Sequence, residues 1–169
     1  MRRLLALVTL LAALGVAAGI PAAAGGQTAN LLKSERFVGV PKALTGAPGA
    51  IGAINGAGQP WVIGTAKAVL GVDGSLDLKF TGLLFAADAA PGLPGTNTVG
   101  SMKGAVSCLT PAGTRTAVFT SAFPVTTGSG AGAGNGHVTE TLTLPSPCIA
   151  PIVLITNGTG AAWFAADGD

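Results

Sequence analysis

The side chains best suited to chemistry in this chain are a few isolated acids and one histidine. Glu140 stands in a strand-like run, residues 137–144, on the same parity as the apolar residues of that run. A strand there would turn its carboxylate toward the apolar side of the sheet. With a second acid such as Asp77 or Asp88, Glu140 could serve a hydrolase or an isomerase, since glycoside chemistry needs two carboxylates at a set separation.

The alternative for Glu140 is a structural role. A bulge or an exposed sheet end would solvate the carboxylate, or a Lys or Arg would pair with it, because charged residues are seldom buried unpaired. His137 follows a glycine-rich loop and stands among threonines, so we expect a solvated surface residue. We therefore predict no catalytic residue, and Glu140 is the one candidate that stays open.

Other familiar sites lack their residues. One histidine and two cysteines are too few to supply the ligands of a zinc or copper site. The sequence has neither an EF-hand calcium loop nor a G-x-S-x-G serine motif, and its glycine-rich segment 128–136 lacks the lysine of a phosphate-binding loop. We predict neither a metal nor a cofactor.

Cys108 and Cys148 are the only cysteines in the sequence. An even count in an exported chain indicates a disulfide, and two buried thiols are the alternative. A bridge between them would close a loop of about 40 residues and stabilise the fold by roughly 4 kcal/mol on a chain-entropy estimate. We predict a Cys108–Cys148 disulfide.

The first 24 residues have the pattern of a secretory signal peptide. Arg2 and Arg3 precede an apolar run over residues 4–19, and three alanines end at Ala24. This order of charged, apolar and small residues is that of a cleavable signal, whereas the run is short for a membrane anchor. We predict cleavage after Ala24 and a secreted protein, exported by the general or the twin-arginine route.

Composition and charge limit the classes of partner that this chain is expected to bind. Charged residues make up 9% of the chain, against about 25% in ordinary soluble domains. The chain has nine Lys and Arg and seven Asp and Glu, so loss of Arg2 and Arg3 with the signal leaves seven of each. A neutral chain has no general attraction to nucleic acid or anionic lipid. We expect a monomer with an extracellular or envelope partner, no nucleic acid, and no membrane span in the mature chain.

Short runs of β-branched, aromatic and threonine residues between Gly, Pro and Asp predict an all-β domain. The clearest element is a hairpin over residues 61–84 that turns at Asp73 and Gly74. Alternation along its second strand separates an apolar face from a polar face: Leu76, Leu78 and Phe80 against Asp77, Lys79 and Thr81.

We predict an antiparallel β-sandwich of roughly seven to eight short strands, with a closed up-and-down β-barrel as the alternative. Residues 25–60 would supply an N-terminal strand and a Gly/Ala/Pro-rich loop, and residues 61–169 the main part of the single domain. In residues 98–109, Met102 and Cys108 share an apolar face that alternates with polar residues, the pattern of a half-buried strand.

Trp61 and Trp163 are the only tryptophans. Flat aromatic rings can stack on sugars, but the sequence contains no tyrosine to extend such a platform. Tryptophan in short apolar strands usually belongs to a core. We expect both side chains in the core.

Several segments together resemble a known group of proteins. They are Pro60-Trp61-Val62-Ile63, the Asp73-Gly74 hairpin, Val106-Ser107-Cys108, residues 144–153 and Ala162-Trp163-Phe164-Ala165. Over residues 60–166, and most specifically around Cys148, the chain is similar to a loosely defined group of small, uncharacterised exported β proteins of actinobacterial type. The resemblance implies export from a bacterial cell and a β fold, and it carries no known activity or functional residue.

These observations favour an exported, non-catalytic β module that acts by contact with the envelope or another extracellular partner. Two alternatives stay open. One is a hydrolase or isomerase that uses Glu140 with a second carboxylate, and the other is a barrel that holds an apolar ligand against Leu76, Leu78 and Phe80. Side-chain direction separates them, because the enzyme needs two acids in one pocket and the barrel needs an open cavity.

Overall fold

The computed structural model describes residues 29–168. The predicted signal peptide, with its cleavage position after Ala24, lies outside these residues. Within them the fold is all-β, with sixteen strands and one short 3₁₀ helix, Lys42–Leu44. The strands, in chain order, are β1 (Asn30–Ser34), β2 (Phe37–Gly39), β3 (Gly46–Ile51), β4 (Ile54–Gly56), β5 (Trp61–Val62), β6 (Thr65–Gly71), β7 (Ser75–Thr81), β8 (Leu84–Phe85), β9 (Thr96–Asn97), β10 (Ser101–Leu109), β11 (Arg115–Phe119), β12 (Phe123–Pro124), β13 (Gly128–Ser129), β14 (Gly136–Thr141), β15 (Ile149–Asn157) and β16 (Ala162–Asp167).

Four strands form an antiparallel sheet, the small sheet, in the order β1-β6-β7-β14. Its centre is the predicted hairpin of β6 and β7, which turns at Asp73 and Gly74. The Asp73 carboxylate accepts hydrogen bonds from the Ser75 hydroxyl at 2.6 Å and backbone N–H at 3.0 Å, and these bonds lower the pKa of Asp73. Gly74 has a φ of 84°, a conformation that glycine adopts without strain. The turn chemistry therefore fixes the hairpin.

The large sheet has the order β11-β10-β15-β16-β4-β3, with β12 also paired to β10 and β2 to β16. Both sheets end in edge strands, β1 and β14 in the small one and β11 and β3 in the large one. The described chain is therefore the predicted β-sandwich and does not close into the alternative barrel. Segment 25–60, predicted as one strand and a loop, contributes β1 to β4, because backbone pairing needs no bulky side chains.

The two sheets approach each other closely at Gly104 of β10. A methyl group added there would lie 3.2 Å from Leu78 Cδ2 and 3.4 Å from Leu76 Cδ2, so glycine permits the sheets to touch at this point. Nearby, the rings of Phe80 and Phe123 lie edge to face with centroids 6.1 Å apart. The hydrophobic core fills the space between these two faces.

Strand β10 departs from the half-buried pattern that its sequence predicts. Met102 and Cys108 are fully buried as expected, but Ser107, on the opposite parity, is also only 1% exposed. The Arg115 guanidinium lies over this position and donates to the Ser107 carbonyl oxygen at 3.1 Å. The turn between β3 and β4 lies against Arg115 at Gly52. The centre of the large sheet is therefore covered on both faces.

Candidate functional site

Glu140 lies on β14, the edge strand of the small sheet, and its half-buried carboxylate reaches a turn that belongs to the large sheet. Oε2 accepts the Ser121 backbone N–H at 2.8 Å, and Oε1 accepts the Ser121 hydroxyl at 3.4 Å. Ser121 connects β11 to β12. The partner of the carboxylate is thus a backbone amide rather than a Lys or Arg, and the contact holds the two sheets together at one edge.

Asp77 and Asp88, the acids considered as catalytic partners of Glu140, do not lie beside its carboxylate. Asp77 pairs in register with Thr139, whereas Glu140 pairs with Leu76. Alternation therefore sends Asp77 and Glu140 to opposite faces of the small sheet. Asp88 is exposed in the connection after β8. Glu140 and Asp77 do not form the convergent carboxylate pair of a glycosidase.

His137 is exposed, as expected, and its Nε2 lies 2.8 Å from Asp77 Oδ1. The Thr139 hydroxyl approaches the same ring nitrogen at 3.4 Å. In a catalytic triad, the carboxylate binds one nitrogen of the imidazole and orients the ring, and the other nitrogen accepts the proton of the hydroxyl group. Because both groups here lie at Nε2, the arrangement is a surface polar cluster and not a catalytic triad.

The apolar-ligand alternative requires an open cavity over Leu76, Leu78 and Phe80. These side chains are at most 1% exposed. Leu76 and Leu78 face the large sheet at Gly104, and Phe80 packs against Phe123. They are core residues, so the cavity that this alternative needs is filled by protein.

Both tryptophans lie in the core, as predicted, with exposures of 3% for Trp61 and 4% for Trp163. The Trp163 indole Nε1 donates to the Gly49 carbonyl oxygen at 2.7 Å. The Trp61 Nε1 is buried with no hydrogen-bond partner among residues 29–168. Trp61 packs at a tilt against Phe85 and Phe164, with centroids 4.0 and 4.5 Å away.

An apolar groove of about 420 Å³ lies beside Trp61, between β2 and β5. Val38 and Val62 form its exposed part, with 58% and 49% of their surfaces in solvent. Lys42 and Asp88 also border it.

Charged side chains gather instead on the outer side of the small sheet. We call this surface the charged face and define it by six residues: Lys33, Glu35, Lys67, Asp77, Lys79 and His137. Lys67 stands directly opposite Lys79, which stands directly opposite His137. The Lys67 ammonium lies 3.3 Å from a Glu35 carboxylate oxygen. An open groove of about 690 Å³ crosses this face, and Thr65 and Thr81 also line it.

The sequence predicted the outward direction of only two of the six residues of this face. Alternation along β7 places Asp77 and Lys79 outward, and the structure confirms it. Lys67 could also have been found, because it is as far before Asp73 as Lys79 is after it, and a tight turn there aligns the two. His137 could not, since the pairing of β7 with β14 joins residues 60 positions apart.

The predicted disulfide is present, with the sulfur atoms of Cys108 and Cys148 1.98 Å apart. It links β10 to the segment that enters β15, the neighbouring strand in the large sheet. In the part of the chain that the structure describes, no three His, Cys, Asp or Glu side chains come together as a metal site. Among residues 29–168 there is also no helix with the length and apolar character to cross a membrane.

Comparisons with known proteins supply no relative: no family model, no curated protein and no solved structure matches the chain.

Proposed function

We propose that this chain is exported and acts as a non-catalytic contact module at the cell envelope. Export is supported by the signal-like residues 1–24 and by the Cys108–Cys148 bridge, because disulfides persist mainly in oxidising compartments. The mature chain would act there as a monomer.

The observation that carries the proposal is the distribution of charged side chains. Asp77 and Glu140, which a glycosidase would need in one pocket, face opposite sides of the small sheet. The charges that gather do so on the charged face, an exposed strand surface backed by the hydrophobic core. An open strand surface of this kind is suited to holding a partner by contact.

To test the proposal, the full chain, including the predicted signal peptide, is expressed in an actinobacterial host. We expect the protein outside the cytoplasm, beginning at Gly25 and without an alkylatable thiol, and we expect this mature form to sediment with washed envelope. Protein that stays cytoplasmic and begins at Met1, or mature protein that stays in the supernatant, would contradict the proposal. Glycoside turnover that Glu140→Gln abolishes would support the hydrolase instead.

A further inference from the structure

The central residue of the charged face, Lys79, lies in an unfavourable electrostatic position. Lys67 stands directly opposite it on β6, and like charges directly opposite each other destabilise a sheet. His137 stands opposite it on β14 and lies against Asp77 rather than Lys79. The two carboxylates of the charged face are engaged, Glu35 with Lys67 and Asp77 with His137. Lys79 has no salt bridge within residues 29–168. The fold therefore leaves one ammonium group available at the centre of the row.

Hydroxyl groups continue the surface beside this row. Thr65 and Thr81 are paired across β6 and β7, with their hydroxyl oxygens 2.7 Å apart. Thr139 lies on the other side of the row, next to His137. Ammonium groups flanked by hydroxyls offer both a charge and hydrogen-bond partners to a ligand that is itself acidic and rich in hydroxyl groups.

The charge distribution favours an anionic ligand at this face in particular. The charged face has three lysines and two carboxylates, whereas the other described residues have four Lys and Arg against four Asp and Glu. The groove above the row is open along the sheet, so a polymer can lie in it and repeat a weak contact many times.

Two other polyanions fit this face less well. Single-stranded nucleic acid binds by stacking its bases on exposed aromatic rings, and the residues that line this groove include no exposed Phe, Tyr or Trp, since Phe80 is 1% exposed. Recognition of anionic lipid uses clusters of about four to eight Lys and Arg, more than the three lysines of the charged face. A sugar acid needs neither feature.

We propose that the charged face binds an acidic polysaccharide, whose carboxylates lie against Lys79 and Lys67 and whose hydroxyls lie against the neighbouring threonines. This inference rests on the proposed contact function and names the class of its partner. Lys79 supplies an unpaired charge at the centre of the row, and the Lys67–Glu35 ion pair and the His137–Asp77 contact lie on either side of it.

The test measures binding of the mature chain, residues 25–169, to polygalacturonate at low ionic strength, with dextran as the uncharged control polymer. Lys79→Gln should weaken binding about fivefold, the effect of losing one exposed charge contact. Asp77→Asn should tighten it, because it removes a negative charge from the face. Lys42→Gln, an exposed lysine beside the other groove, is the matched control and should change nothing. Added salt should weaken binding to polygalacturonate.

A loss of binding in this test can be distinguished from a failure to fold. Lys79→Gln relieves a like-charge contact, so its melting temperature should equal or exceed that of the unmodified chain, and Lys79→Arg should retain binding. Equal affinity of the Lys79→Gln and Lys42→Gln proteins would overturn the inference. So would equal binding of dextran, or tighter binding of single-stranded DNA than of polygalacturonate.

The outcome is also separable from that of the proposed function. If the mature chain sediments with envelope and Lys79→Gln does so equally well, the contact function stands and the charged face is not its site. If the unmodified chain does not sediment with envelope but binds polygalacturonate through Lys79, the site stands and the envelope function fails.

Discussion

Ser107 and Asp77 stand at equivalent places in the two sheets, each at the outward position of a central strand. Ser107 is 1% exposed, whereas 59% of the Asp77 side chain lies in solvent. The difference comes from what lies above each strand: Arg115 and the β3–β4 turn cover the large sheet, and the small sheet carries the open charged face. The centre of the large sheet is therefore covered on both faces, whereas the outer face of the small sheet is open to solvent.

The disulfide should show the largest effect, and it belongs to the large sheet. Cys108→Ala together with Cys148→Ala should lower the free energy of unfolding by roughly 4 kcal/mol, because the unfolded chain gains the entropy of an open loop. Urea denaturation of the mature chain measures this, and the unmodified protein under reducing conditions is the control. A loss below about 1 kcal/mol would mean that the bridge contributes much less than this loop-closure entropy.

The two outward positions should respond very differently to a change of charge. Ser107→Lys buries an ammonium group beside the Arg115 guanidinium, where the serine hydroxyl already has no hydrogen-bond partner among the described residues, so it should cost about 3 kcal/mol or more. Asp77→Ser, on the charged face, should change stability by less than about 0.5 kcal/mol. Thermal unfolding of both variants at neutral pH compares them. Similar losses would mean that the two outer faces are not different in kind.

The features of the fold that could be predicted from the sequence are those that depend on residues close together in the chain. The β6–β7 hairpin follows from alternation and from the Asp73-Gly74 turn, and the core positions of both tryptophans follow from their apolar neighbours. The burial of Ser107 did not follow, because Arg115 covers it from another strand.

The same distinction applies to the candidate site: features within one strand could be predicted from the sequence, and contacts between distant strands could not. Alternation placed Asp77 on the polar face of its strand and Glu140 on the apolar side of its own, but only the register of β7 with β14 shows that these are opposite faces and that the suggested Asp77–Glu140 pair does not form. The Ser121 amide that holds Glu140 and the histidine beside Lys79 depend on how distant strands align, and composition contains no signal of that alignment.

The tryptophans provide a smaller test with matched chemistry. Trp163→Phe removes a donor and leaves the Gly49 carbonyl oxygen without it, whereas Trp61→Phe removes a donor that has no partner among the described residues. Both changes lose the same volume, so Trp163→Phe should cost about 1 to 2 kcal/mol more than Trp61→Phe, the price of a broken buried hydrogen bond. Urea denaturation of the two variants measures the difference. The reverse order would contradict the assigned hydrogen bonds.

Glu140 should show a smaller effect than the disulfide or the Ser107 position. Glu140→Ala removes the acceptor of the Ser121 N–H and should cost about 1 kcal/mol, while Glu140→Gln keeps an acceptor oxygen and should cost less than that. Thermal melts of the two proteins measure the difference. A clear rise in melting temperature for Glu140→Gln would instead indicate a carboxylate held at an energetic cost for function, and would reopen the enzyme alternative.

The outer side of the small sheet is the proposed binding surface. Amide hydrogen exchange of the mature chain, with and without polygalacturonate, tests this directly because it reports on each strand separately. We predict that the polymer slows exchange in β6, β7 and β14 and leaves the large sheet unchanged. Slowed exchange confined to the groove around Val38 and Val62, or no change in any strand, would contradict the account.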